Sequence, residues 1–159
     1  MDWQSLLNPN RLGCPEPQPD GKIAARTEFQ RDFDRIIFSS AFRRLQSKTQ
    51  VFPFPETAMI HTRLTHSLEA SSVGRSLGTA VGNELDNPKV DPRDLGAIVS
   101  AACLAHDIGN PPFGHAGEKA IIEFFEGERG QSFLANLTED QKLDFLRFDG
   151  NAMGFRMLT

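Results

Sequence analysis

LGAIVSAACLAHDIGNPPFGHAGEKA, residues 95–120, begins as a helix and breaks where its polar groups gather. The run up to Ala105 is apolar nearly all round, which predicts the central buried helix of the fold. Asp91 and Pro92 open it, an N-cap residue followed by a proline at the first helical position. His106 and Asp107 sit at its end. A charged carboxylate buried there without a partner would be costly. A divalent cation removes that cost, since imidazole and carboxylate are both good ligands for one. Gly109-Asn110-Pro111-Pro112 then turns the chain, and His115 returns over the same place from a loop. Glu118 follows three residues later, on the same helical face. A carboxylate beside a histidine orients the ring, and such a pair can serve as general acid or base.

Working outward, the same logic finds partners for this stretch. A helix pattern runs from Thr27 to about Lys48, with Phe29, Phe33, Ile36, Ile37, Ala41 and Leu45 at three- and four-residue steps. A second helix is predicted from near Thr65 to Asp86, with Leu68, Val73, Leu77, Val81 and Leu85 as its apolar stripe. Gly74, Gly78 and Gly82 recur every fourth residue on another side and suggest close helix packing. His66 opens this helix. A fold that brings its start against the end of the buried helix gathers His66, His106 and Asp107 as three ligands, leaving positions open for water and substrate. Mixed imidazole and carboxylate suits Mn, Fe, Co or Mg better than a structural zinc. Downstream, a helix after Gly114 should turn Ala120, Ile121 and Phe124 inward, and Thr138-Glu139-Asp140-Gln141 is a capping box for another.

Taken singly, each of these residues has a plainer explanation. A histidine at a helix end is often a cap, and His115 with Glu118 alone would be a surface pair. His61 reads as a non-ligand in a loop or ribbon. Arg63 precedes His66 by three residues, and its planar fork can hold a phosphate beside the metal. Arg43 and Arg44 fit a solvated face as well as a phosphate site. Gln46 and Gln50 can bond a sugar hydroxyl or only the backbone.

The whole chain of 159 residues is long enough for one domain with a core. A net charge of −4 gives no global basic field for nucleic acid. No apolar run approaches the roughly 18 residues of a membrane span, and MDWQSLLNPNRLG lacks the basic start and apolar core of a signal peptide. Cys14 and Cys103 lie in unlike contexts, so the expectation is a reducing cytoplasm without a disulfide framework. Residues 1–23 read as an irregular arm, with four of the ten prolines within residues 8–22. The expected fold is all-α, with a small β ribbon near residues 49–64.

Four stretches together carry a family resemblance: RDFDRIIFSSAFRRLQSKTQVFPFPE, TRLTHSLEASSVGRSLG, AACLAHDIGNPPFGHAGEKA and FDGNAMGFRML. In this order they resemble the deoxyguanosinetriphosphate triphosphohydrolases of the HD-domain superfamily. The resemblance covers nearly all of residues 24–159 and implies an HD-domain helical bundle. It implies hydrolysis of dGTP or another dNTP at the α-phosphate, giving deoxynucleoside and inorganic triphosphate. It implies His66, His106 and Asp107 as ligands of a divalent metal, Mn²⁺ or Mg²⁺ first and Fe, Co or Ni as alternatives. His115 then matches the catalytic histidine and Glu118 its support. Arg63 matches an arginine at the α-phosphate, Gln50 a residue near the 3′ hydroxyl, and Arg44 the nucleoside pocket. The family takes a fourth metal ligand, an Asp, from far downstream, whereas Asp140, Asp144 and Asp149 lie too early for it. Residues 24–159 are therefore expected to be the N-terminal portion of such a domain, incomplete at the C-terminus. Homo-oligomers and a single-stranded DNA effector belong to what the resemblance implies for the complete protein. Two other readings remain at this point: a different HD-type nucleotide phosphohydrolase, and a non-catalytic module that binds nucleotide or single-stranded DNA.

Overall fold

A computed structural model of the chain describes residues 2–10, 26–48, 50, 61–85 and 87–159, with Gln4 described by its backbone alone. Among them the regular structure is helical, with no strand beyond an isolated bridge at Thr62, as the all-α expectation requires. Helix α1 is one turn, Trp3–Leu6, within the expected irregular arm, whose residues 11–23 lie outside the described ones. The expected ribbon also falls mainly outside them. At its described ends the Gln50 N–H donates to the His61 carbonyl at 3.1 Å, and the Arg63 N–H to the Lys48 carbonyl at 2.9 Å.

The first predicted helix is two. Helix α2, Glu28–Phe38, ends at Ser39, and α3, Ser40–Arg44, starts from the same residue before a 3₁₀ turn over Leu45–Ser47. Serine explains the break. Its hydroxyl donates to the Ile36 carbonyl at 2.8 Å and accepts from the Phe42 N–H at 3.1 Å, closing one helix and capping the next. The bend turns Phe42 and Leu45 inward, where they meet Leu104 and Ile108 in the main core, with Phe33, Ile36, Ile37, Ala41 and Leu64 packed around them.

Helices α4, Arg63–Glu84, and α5, Pro92–Ala105, form the principal pair, and α2 packs on the other side of α5. Thr62 caps α4, with Thr65 at the third helical position completing a capping box, so the helix begins ahead of its predicted start. Which side of α4 is buried reverses the apolar-stripe expectation. Ser67, Ser71, Gly74, Gly78 and Gly82 face inward, while Leu68, Val73, Leu77 and Val81 are exposed. The reason is the separation of the two backbones. A Cβ on Gly82 would stand 2.7 Å from Pro92 Cα, and one on Gly78 would stand 3.0 Å from Gly96 Cα. Small residues admit an approach that larger apolar ones would prevent, and the Ser71 and Ser100 hydroxyls bond across the seam at 2.8 Å.

Helix α6, His115–Glu126, is followed by α7, Glu128–Leu134, and by α8, Glu139–Leu146, which opens on the predicted Thr138 box. The inward face of α6 differs from the expected one. Ala120 and Phe124 are exposed, whereas Ile121, Ile122 and Phe125 are partly covered, with the Phe125 ring 4.6 Å from that of Phe145 on α8. Helix α9, Gly150–Leu158, capped by Asp149, packs on the turn that follows α5.

An exposed Gly→Ala change in a helix stabilises by about 1 kcal/mol through propensity alone. At Gly82 the expected sign is opposite, a loss of about 1–3 kcal/mol from overpacking against Pro92. Leu77→Ala, on the exposed side, should move stability by no more than about 0.5 kcal/mol. Urea unfolding midpoints of the two variants check both.

Candidate active site

The site grows from two helix ends. Capping by Thr62 puts Arg63 at the start of α4 and His66 one turn in, on the same side. His106 ends α5 and Asp107 follows it. The His66 and His106 rings meet edge to face, 5.2 Å between centroids. His106 Nδ1 lies 2.8 Å from the Cys103 carbonyl, to which it can only donate, so in the neutral ring Nε2 carries the lone pair. That Nε2 faces Asp107 Oδ2 at 3.4 Å. A lone pair set against a carboxylate oxygen is unfavourable unless something positive lies between them. A backbone carbonyl that fixes the tautomer is also the usual support of a metal-bound imidazole. His66, His106 and Asp107 thus suit a divalent cation by donor chemistry.

Asp107 is 9% exposed and its partner Arg63 11%. Arg63 Nη1 donates to Oδ2 at 2.7 Å, and Asn110 Nδ2 donates to Oδ1 at 2.6 Å. Each oxygen keeps a second lone pair. The other end of the guanidinium reaches the turn before α6. A Cβ on Gly114 would lie 2.5 Å from Arg63 Nη2. Gly114 has φ 54° and ψ −130°, open to glycine and hostile to other residues, and Phe113 before it also has positive φ, 66°. Arg63 therefore lies against the backbone that launches His115.

His115 is the first residue of α6, its side chain 96% exposed. Its Nδ1 is 2.7 Å from Glu118 Oε2, and Glu118 itself is 15% exposed. The other Glu118 oxygen accepts from the Gly150 N–H at 2.9 Å, at the start of α9. Helix α9 is seated by close backbone contact, since a Cβ on Gly109 would stand 2.1 Å from the Gly154 nitrogen. A histidine open to solvent is thus aimed by a carboxylate that is itself held in place.

Cationic groups surround Asp107. Lys48 donates from Nζ to the Asn110 carbonyl. Burial, together with the charges of Arg63 and Arg44, holds the Lys48 ammonium below the usual lysine range, and Asp107 opposes the shift. Arg44 itself is exposed. Arg63 Nε, beside the ion pair, is buried without a hydrogen-bond partner among the described residues, and so is Gln50 Oε1.

Of the residues singled out from sequence, His66, His106, Asp107 and Arg63 converge directly. His115 and Glu118 join them through Gly114. Gln50 joins through its backbone bond to His61, and Arg44 only through its charge on Lys48. Sequence reading gave no role to Lys48, Asn110 or Gly150. Asn110 carried a faint signal, three residues after Asp107 in a turn. Gly150 carried none, since its contribution is a backbone N–H. Gly114→Ala would force a side chain into both the guanidinium and a forbidden backbone region. The expected cost is about 1–3 kcal/mol, read as a lowered thermal midpoint.

The HD domain family matches residues 63–147, more than half of the chain. The chain is 56% identical over 162 residues to a "Deoxyguanosinetriphosphate triphosphohydrolase-like protein" of Pseudomonas aeruginosa, covering 100% of the chain and 36% of that protein. It is 52% identical over 165 residues to a protein of the same description from Synechocystis sp., covering 100% of the chain and 37% of the relative. The "Deoxyguanosinetriphosphate triphosphohydrolase" of Klebsiella pneumoniae is 34% identical over 190 residues, with 99% of the chain and 38% of the relative covered. The chain thus spans little more than a third of the length of these curated relatives. With its two histidines and aspartate gathered where two helix ends meet, the chain belongs to the HD-domain family.

Proposed function

We propose that residues 24–159 supply the HD-type portion of a metal-dependent deoxynucleoside triphosphate triphosphohydrolase, with dGTP as the favoured substrate. The observation that carries this reading is the joining of Arg63, Asp107, His106 and His66 to a solvent-facing His115 whose partner Glu118 is anchored by Gly150. The names of the relatives support the substrate class.

His66, His106 and Asp107 would hold a divalent cation, Mn²⁺ or Mg²⁺. When bound, such a cation neutralises phosphoryl oxygens and acidifies water near phosphorus. Arg63 places its guanidinium charge beside the α-phosphate, with Nη1 held by Asp107. Lys48 and Arg44 add positive charge along the triphosphate, and an anion relieves the crowding that depresses the Lys48 ammonium. Gln50 Oε1 accepts from the sugar 3′ hydroxyl. Water attacks the α-phosphorus and gives up one proton to solvent, and the bond from phosphorus to the 5′ oxygen breaks. His115 delivers a proton to that oxygen from Nε2, because Nδ1 is committed to Glu118. Deoxynucleoside and inorganic triphosphate leave.

The direct test is product identity. The chain and, in parallel, the Pseudomonas aeruginosa relative are incubated with Mn²⁺ and dGTP, and the phosphates are separated by ion exchange. Intact triphosphate with deoxyguanosine is the expected result for the relative. Monophosphate or pyrophosphate would assign a different HD phosphohydrolase. In the active protein, replacement of the histidine equivalent to His115 by Ala should lower kcat by about 10²–10⁴-fold with Mn²⁺ affinity kept. In this chain Asp107→Ala should abolish Mn²⁺ binding and cost about 3–5 kcal/mol, because it strands the buried Arg63 charge. Calorimetric Mn²⁺ titration and urea unfolding read the two effects.

A further inference from the structure

His61 does not behave as the isolated ribbon residue its sequence context suggests. Its carbonyl accepts the Gln50 N–H at 3.1 Å, which fixes the residue just before α4. Its ring centroid lies 6.1 Å from that of His66. Its Nε2 is 3.3 Å from Glu69 Oε2, and Glu69 stands one helical turn after His66 on the same side. One ligand atom from each of His61, His66 and Glu69 fits within a 4.8 Å span. Bond lengths of about 2.0–2.2 Å to nitrogen and oxygen place tetrahedral ligand atoms roughly 3.3–3.6 Å apart, so side-chain shifts of about 1 Å would close the set on one ion. The set also borders an open groove of about 490 Å³ between α4 and α5, lined in part by His66, Glu69, Val73 and Cys103, so an ion has access from solvent.

We propose that His61, His66 and Glu69 form a second divalent-cation site, which shares His66 with the His106–Asp107 pair. The donor set, two imidazoles and one carboxylate, is the same as that of the first site, and Zn²⁺ is the tighter-binding probe of either. Three ligands leave the remaining positions to water. A neutral imidazole offers one lone pair, so His66 serves one ion at a time. An ion on His61 and Glu69 therefore takes His66 away from the His106–Asp107 pair, and the two sites exclude each other. That exclusion rests on the proposed ligand role of His66, whereas the site itself does not.

The test is calorimetric titration of the 159-residue chain with Zn²⁺ alone. The variants are His106→Ala, which removes a ligand from the first site and leaves the Arg63–Asp107 pair in place, and His61→Ala and Glu69→Gln on that background. His61 and Glu69 side chains are 52% and 64% exposed, so these two changes leave the fold intact, with helix content as the check. The expected result is that His106→Ala still binds one Zn²⁺, and that each added change weakens it by about tenfold or more, at least the effect of losing a ligand's outer support. If His106→Ala binds no Zn²⁺ while the unsubstituted chain does, the second site is refuted and the first stands. Zn²⁺ affinity indifferent to Glu69→Gln and His61→Ala also refutes it. So does absence of Zn²⁺ binding by every form. Binding that survives His106→Ala and fails with Glu69→Gln would establish the site whatever the reaction proves to be.

Discussion

The ion pair between Arg63 and Asp107 is the contact on which the rest of this structure turns. A buried pair is a weak source of net stability, because desolvation of both charges offsets much of their attraction. Its importance here is positional. Arg63 starts α4, Asp107 opens the polar turn after α5, and the other edge of the guanidinium lies on Gly114, where α6 begins. One planar group thereby registers three helix ends against each other. Removing either charge would strand the other in a dry place, so the geometry is held by the cost of breaking it.

The surroundings are arranged to satisfy that pair without filling the site. Asn110 takes the second Asp107 oxygen, and Lys48 holds the Asn110 carbonyl. The apolar core of Phe42, Leu45, Leu104 and Ile108 lies directly beneath, with Ile108 immediately after Asp107. Ile108 therefore pins the polar turn to the core at the point where the backbone leaves the helix. On the far side α9 closes on the same turn and lends its first N–H to Glu118. Both faces of the turn are thereby braced.

Much of this was legible in the sequence, for reasons that can be named. The buried α5 follows from continuous apolarity between an N-cap aspartate and a polar turn, and the capping box at Thr138 announces α8. His66, His106 and Asp107 stand out in the sequence because few residue types bind cations and each sits near a helix terminus, and the fold brings His66 against His106 and His106 against Asp107. The face of α4 was misread because apolar periodicity measures what would like to be buried, not how near two backbones come. Where glycines let α5 approach, the larger residues are turned outward. The break at Ser39 was hidden because both sides of it continue the same apolar spacing. Contributions from backbone atoms, such as the Gly150 N–H, leave no trace in side-chain chemistry. The meeting of His61 with Glu69 depends on a tertiary bend before α4 that no local pattern encodes.

The close backbone contacts around the polar turn bear on how variation in this protein should be interpreted. Gly109, Gly114 and Gly150 each stand where an added carbon would strike a backbone or a functional side chain. In a map of substitution tolerance these three would rank beside His106 and Asp107, although a glycine has no group with which to bind or react. Intolerance here therefore marks two populations, polar side chains that hold one another in place and empty volumes that let those side chains meet. Only the first can be partly rescued by a chemically similar side chain. The second admits no conservative replacement at all.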